Sequence, residues 1–247
     1  MNLALDFGNS RVKAAIFDQR KLVHIETHFS FSIKKAAAII RKFNVDSSIL
    51  ASVIHESKEI RQLLKKNTRF IKLDSSTPVP ITNHYETPGT LGADRLANLI
   101  GGRSLFSRKN ILVISAGTCI TYDVITSEGN YFGGNITPGL DLRLKAMNTF
   151  TARLPLVKKE MTNELFGRTT ATSMLSGVIK GTSLEMKGFI SEYKKEYQAL
   201  KIILTGGDAP YFEKMIAPSI PYGKSKTFAL PHLLLYGLNE ILLINNA

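Results

Sequence analysis

Residues 3–13 read Leu-Ala-Leu-Asp-Phe-Gly-Asn-Ser-Arg-Val-Lys. An apolar run ends at Asp6, a tight Gly8-Asn9-Ser10 turn follows, and a second strand-like run from Val12 to Phe17 carries Lys13. Glycine at position 8 lets a ligand come close to the main chain. The amides of Gly8, Asn9 and Ser10 can aim at phosphate oxygens, Asn9 and Ser10 add side-chain donors, and Asp6 can hold a magnesium ion or its water. The whole stretch of Asp6, Phe7, Gly8, Asn9, Ser10, Arg11, Val12 and Lys13 therefore suits a nucleotide phosphate. The same residues also suit an ordinary β-hairpin, whose turn favours Gly and Asn.

A second copy lies much further along. Residues 111–123 read Ile-Leu-Val-Ile-Ser-Ala-Gly-Thr-Cys-Ile-Thr-Tyr-Asp, again an apolar strand running into Gly-Thr, with an alternating strand leaving it. Superposing Gly8 on Gly117 sets Asn9 over Thr118 and Asp6 over Ser115. Thr118 becomes the best single candidate for a phosphate contact in this turn. Two similar hairpins suggest two similar domains with phosphates held between them. A third element is Lys-Ile-Ile-Leu-Thr-Gly-Gly at 201–207, a β-branched strand ending in Gly206-Gly207. A glycine pair after a strand lets a flat adenine ring or ribose lie on bare backbone. Each turn alone reads equally as a plain loop; the three in this order are a stronger signal.

That order resembles the actin-like superfamily of sugar kinases and heat-shock chaperone ATPases. Residues 85–95 then read Tyr-Glu-Thr-Pro-Gly-Thr-Leu-Gly-Ala-Asp-Arg. Gly92-Ala93-Asp94-Arg95, the run from Gly133 to Leu140 and the run from Thr151 to Pro155 resemble the signature of type III pantothenate kinase, with family order and spacing kept from residue 2 to about residue 240. The resemblance implies an α/β fold of two similar actin-like, ribonuclease H-like domains with a nucleotide cleft between them. It implies ATP and Mg²⁺ as cofactors, K⁺ or NH₄⁺ as a further ion, and a homodimer. The implied activity is phosphorylation of pantothenate to 4′-phosphopantothenate, the first step of coenzyme A synthesis. Two alternatives stay open: a kinase of this fold for another small polyol, and a transcriptional accessory factor that shares the fold without turnover.

The resemblance also distributes roles. Asp94, at a predicted helix start where amides and the helix dipole favour anions, becomes the proton acceptor for the substrate hydroxyl. From local sequence alone it reads as a helix cap paired with Arg95 or a nearby lysine. Arg95 can fork onto the pantothenate carboxylate, or pair with Glu86 or Asp74. Tyr85, Gly92 and Ala93 line the same substrate site, although Tyr85 would also serve as a core residue. Thr170 reaches the substrate from the partner subunit, or else caps the helix that follows it. Many relatives carry Asp where this chain has Ser115, so the monovalent-cation site loses a full charge here.

Strand-helix alternation must position these residues. The spacing predicts strands at 3–6, 12–17 and 22–27, a helix at 32–43, a strand at 49–53, a helix at 56–66 and a strand at 70–73. A long Pro- and Gly-punctuated loop at 74–91 precedes a helix at 93–106. The second half predicts strands at 111–116, 119–126, 130–136 and 201–205, with helices near 139–148, 170–195, 209–216 and 231–243. The domain break is expected near residue 110, giving 1–110 and 111–247. Gly177 and Gly181 would permit close helix approach in a dimer.

Composition narrows the class. The chain has 247 residues, 44% of them hydrophobic, with a net charge of +12 from 32 Lys and Arg against 20 Asp and Glu. This suits a globular protein with an ample core, and the basic residues scatter along polar helix faces rather than forming a nucleic-acid motif. No apolar run is long enough to span a bilayer and none resembles a signal peptide, so a cytoplasmic protein binding neither membrane nor nucleic acid is expected. The five histidines (24, 28, 55, 84 and 232) have no metal-ligand spacing. The single cysteine, Cys119, excludes an internal disulfide and reads as a small buried residue.

Overall fold

A computed structural model describes residues 1–53, 57–216 and 227–246; His55 and the expected helix start at Glu56 lie outside them. By its internal contacts the chain forms two compact units, and they are not consecutive in sequence. The first takes Met1–Arg108, Ile125–Gly133 and His232–Ala247; the second takes Lys109–Val124 and Gly134–Pro231.

In the first unit, β1 (Asn2–Phe7), β2 (Val12–Asp18), β3 (Lys21–His28), β4 (Ser47–Ser52) and β5 (Arg69–Lys72) form one sheet in the order β3-β2-β1-β4-β5. β2 runs antiparallel to β1 and β3, whereas β4 runs parallel to β1 and β5. The strand period of two divides β1 between two cores. Leu3, Leu5 and Phe7 join a cluster with α1 (Ile33–Phe43) and α2 (Lys58–Asn67). Ala4 joins the opposite cluster, built from α3 (Ala93–Leu105) and α7 (Leu233–Asn245). Asp6 shares the parity of Ala4 and so stands on the α3 side of the sheet.

Local signals set these boundaries. Ser32 caps α1 by accepting the Lys35 N–H at 3.3 Å, and Asn44 closes it in the left-handed conformation at φ 47°. The expected loop at 74–91 holds only β6 (Thr82–Asn83) and a 3₁₀ turn at Pro88–Thr90. β6 is fastened to the first residues of β9 (Asn130–Pro138), with Thr82 and Asn83 opposite Asn130 and Tyr131. α3 and α7 approach until their backbones touch. A Cβ on Gly237 would lie 1.8 Å from the Ala97 carbonyl oxygen, and one on Gly101 would lie 2.4 Å from that of Leu233. Only glycine fits at either crossing point.

The second unit is built on β7 (Ile111–Ala116), β8 (Cys119–Ile125), β10 (Lys201–Thr205) and β11 (Thr227–Ala229), in the order β11-β10-β7-β8, followed by β9. β10 is parallel to both β7 and β11. α4 (Leu140–Phe150), α5 (Thr170–Glu196) and α6 (Ala209–Ile216) complete a core around Tyr122, Ile179, Met186 and Phe212.

Three expectations change. A single break at residue 110 assigns residues 125–133 and the C-terminal helix to the second domain, but both pack in the first unit. The apolar face of α7, with Leu235, Leu238, Ile241 and Leu242, is buried against α3 and β1 rather than against its sequence neighbours. β11 is an unforeseen strand, three residues long and carried by pairing with β10. Cys119 is exposed, not buried, because it opens β8 at the rim of the glycine turn.

Candidate active site

The first unit assembles one group of expected residues. Asp6, next to last in β1, lies directly opposite Lys13 on β2. The turn between them is closed by the Gly8 N–H donating to the Arg11 carbonyl at 3.1 Å, and a Cβ on Gly8 would press on that oxygen at 3.2 Å. Asn9 and Ser10 are exposed at its tip. Arg11 turns outward, its guanidinium 4.4 Å from the Phe29 ring. Phe7 and Val12 are core residues, so only their main-chain groups face the turn.

Asp6 is half-buried, and that burial pushes its carboxyl up to about 6; Lys13 pulls it down and the nearby Asp94 charge pushes it further up. Asp6 and Asp94 thus sense each other although 88 positions separate them in sequence. A pair of carboxylates flanked by a lysine, with an open turn of amides beside it, fits a hydrated divalent cation that takes its remaining ligands from phosphates. Among the described residues no group of three or more His, Cys, Asp or Glu could enclose a metal alone. His232, just before α7, is lowered from its ordinary value by burial and by the Lys13 charge, and its Nδ1 is buried without a hydrogen-bond partner among the described residues. Its place beside Lys13 depends on the return of the C-terminal helix to this unit.

Asp94 lies in the first turn of α3 and its Oδ1 accepts the Arg95 N–H at 2.9 Å. A Cβ at Gly92 would fall 2.5 Å from that same oxygen, so glycine there keeps the carboxylate in place. Arg95 is buried, and its Nη2 donates to the Tyr131 hydroxyl at 2.9 Å. Tyr85 and Tyr131 lie parallel, 9° apart in plane with centroids at 6.1 Å, and the Arg95 guanidinium sits 5.6 Å from the Tyr85 ring. Tyr85 is placed by the β6–β9 pairing and by its N–H donating to Asn83 Oδ1 at 3.0 Å. Gly133, at φ +140°, brings backbone against the same ring. Tyr85, Gly92, Ala93, Asp94 and Arg95 are therefore gathered at one end of α3. Tyr131 was not anticipated: it reads locally as one apolar position of a strand, and nothing in its neighbourhood names a partner 36 residues away.

The second unit gathers the other group. The Gly117 N–H donates to the Cys119 carbonyl at 3.0 Å, and the Gly139 N–H donates to that of Thr118 at 2.9 Å. Thr118 is exposed on this turn and Ser115 is half-buried before it, in register with Thr205 on β10. Gly206 has φ +94°, and a Cβ there would strike the Ala116 carbonyl oxygen at 2.2 Å; its glycine is demanded by packing. Gly207 differs, since a Cβ there would meet nothing within 4 Å among the described residues.

Thr170 is the exposed first residue of α5. The cap itself is Thr169, whose hydroxyl accepts the Thr172 N–H in a capping box. Thr170 is thus spared the capping role. It borders a cavity of about 720 Å³ shared with Met147, Leu154 and Gly167.

Comparisons with known proteins place the chain among relatives. The type III pantothenate kinase family profile matches residues 2–192. A type III pantothenate kinase of Bacteroides fragilis is 43% identical over 247 residues, covering 100% of this chain and 99% of that one. Among solved structures, a conserved Baf family protein of Campylobacter jejuni has a TM-score of 0.60 at 22% identity, covering 99% and 98% of the two chains. A ROK hexokinase of Thermus thermophilus has a TM-score of 0.51 at 12% identity, covering 99% of each chain. At such identities the solved structures speak for the fold alone. With both halves of the chain carrying the expected turns and the match running end to end, the chain belongs to the type III pantothenate kinase family.

Proposed function

We propose that this chain transfers the γ-phosphoryl group of ATP to the primary hydroxyl of pantothenate, yielding 4′-phosphopantothenate for coenzyme A synthesis. The observation that carries the reading is the end of α3, where Asp94 stands beside a buried Arg95 held by Tyr131 and faced by Tyr85. In this reading Asp94 accepts the hydroxyl proton as the new O–P bond forms. Arg95 engages the pantothenate carboxylate, and Tyr85 packs on the body of the substrate. Gly8, Asn9, Ser10, Lys13 and Thr118 hold phosphate oxygens, and Gly206-Gly207 takes the adenosine. Asp6 would hold Mg²⁺ through water, and that ion would neutralise charge on the transferring phosphates. In-line transfer needs little covalent help from the protein, so positioning and charge carry the rate.

The same reading makes the protein a cytoplasmic homodimer in which Thr170 completes the substrate pocket of the other subunit. Its support is the spare hydroxyl of Thr170 and the exposed apolar side chains of Phe150, Leu165, Phe166 and Leu184 in the same unit. At Ser115 a hydroxyl dipole replaces the charge that would favour K⁺ or NH₄⁺, so dependence on a monovalent cation is weak. A sharp low-millimolar K⁺ requirement in a KCl titration at constant ionic strength would show that other oxygens build that site. The reading as a whole is tested by coupled ADP release from MgATP. Release is expected only with pantothenate present; equal release without it would overturn the assignment.

A further inference from the structure

Lys159 lies in the irregular segment between α4 and α5, in a part of the chain with no assigned chemistry. Its ammonium donates to Asp208 Oδ1 at 2.6 Å and to Asp141 Oδ2 at 2.8 Å, and stands 5.3 Å from the Tyr211 ring centroid. Lys159 and Asp208 are largely buried, with side-chain exposures of 18% and 11%, whereas Asp141 is 70% exposed. Burial draws the Lys159 pKa down, but the hydrogen bonds it donates to Asp141 and Asp208, together with their charges, outweigh that and hold it above its ordinary value.

The two carboxylates lie next to the two glycine turns of this unit. Asp208 directly follows Gly206-Gly207, and its N–H donates to the Ala116 carbonyl at 2.9 Å. Asp141 sits in the first turn of α4, just after Gly139. Gly139 is seated on the Gly117-Thr118 turn so closely that a Cβ would fall 2.1 Å from the Gly117 oxygen. One cation therefore bridges the start of α4, which is seated on the phosphate turn, and the residue that follows the glycine pair.

We infer that Lys159 is a positioning residue for the nucleotide: through Asp208 and Asp141 it sets the spacing between the Gly206-Gly207 backbone and the Gly117-Thr118 turn. This rests on the reading of those turns as the adenosine and phosphate contacts. Gly206 is glycine for packing reasons, whereas a Cβ on Gly207 would meet nothing within 4 Å among the described residues, so the backbone there is open to a flat ligand. A lysine joined to two carboxylates holds two backbone segments at a fixed separation without touching the ligand.

The test measures dissociation constants for MgADP and MgATP by calorimetry, together with kcat and both KM values. Lys159→Met is expected to weaken nucleotide binding about tenfold, roughly the scale of a single charge-assisted hydrogen bond, with the pantothenate KM unchanged. Lys159→Arg should restore most of the affinity. Asp208→Asn, which keeps the packed turn and removes its charge, should give a similar loss, and the double variant should lose no more than either single. Should Lys159→Met fail to fold, Asp208→Asn carries the same comparison. Gly207→Val is the reference, because a Cβ there meets nothing within 4 Å among the described residues. If Gly207→Val abolishes nucleotide binding while Lys159→Met and Asp208→Asn bind normally, the role of Lys159 is overturned and the glycine-turn reading stands. If Gly207→Val binds nucleotide normally, both fail.

Discussion

At the scale of single residues, the site depends on carboxylates in unlike surroundings. Asp94 faces the start of a helix, with Gly92 leaving it room and the Arg95 amide fixing one oxygen. Asp94→Asn keeps the size and loses the base, so kcat is expected to fall by roughly 10²–10⁴ with MgATP binding retained. Near-normal turnover would remove Asp94 from the reaction. Asp6 is raised to about 6 by burial, offset in part by Lys13 and reinforced by Asp94. A carboxyl raised above its unfolded value of 3.8 favours the folded state at low pH and forfeits that advantage as pH rises through about 6. Metal-free protein is therefore expected to gain stability from Asp6→Asn above pH 6 and little below pH 4, with a Tm difference of about 5 °C. Melting curves across that range, showing the same Tm difference at both ends, would contradict a buried, destabilised carboxylate.

At the scale of elements, α3 is held by α7, and the contact is backbone on backbone. Gly237→Ala places a Cβ 1.8 Å from the Ala97 carbonyl oxygen, so the helices must separate. Overpacking of this kind costs about 1–3 kcal/mol. Because α3 carries Asp94 and Arg95, the same change should raise the pantothenate KM. Gly188→Ala on α5, where a Cβ meets nothing within 4 Å among the described residues, is the contrast, and its helix propensity should leave Tm level or slightly higher. Chemical denaturation of both variants checks the pair; equal stabilities would mean that the α3–α7 crossing yields easily. The capping box at Thr169 works in the same way on a smaller scale. It fixes where α5 begins, and that in turn leaves Thr170 exposed.

At the scale of the whole molecule, the proposed dimer can be tested by mixing two inactive chains. One carries Asp94→Asn and the other a tryptophan in place of Thr170. If Thr170 serves the opposite subunit, each heterodimer holds one intact site. Random reassortment of equal amounts makes half the dimers mixed, so about a quarter of wild-type activity should return. No recovery after subunit exchange, or a fully active monomer in sedimentation, would refute the shared pocket. The net charge of +12 adds a general attraction for anionic substrates, which falls with ionic strength.

Much was legible in the sequence because it rests on local backbone physics. Short apolar runs mark the strands that end near Asp6 and Ser115, helical spacing marks α1, and glycines punctuate the turns at 8, 117 and 206. Those signals, with the motif at 92–95, were enough to name the family and the residues to watch. What only tertiary structure decided depends on packing between segments distant in sequence. The Tyr131 hydroxyl on Arg95, the return of α7 to the first unit and the placing of His232 beside Lys13 each join such segments. Lys159 bridging Asp141 and Asp208 is of the same kind. The shift of Asp6 follows the same rule, because a carboxyl's pKa is set by how much water the surrounding fold removes and by which charges it brings close. Local sequence specifies a residue's own φ and period; its desolvation and its partners exist only once the chain has closed on itself.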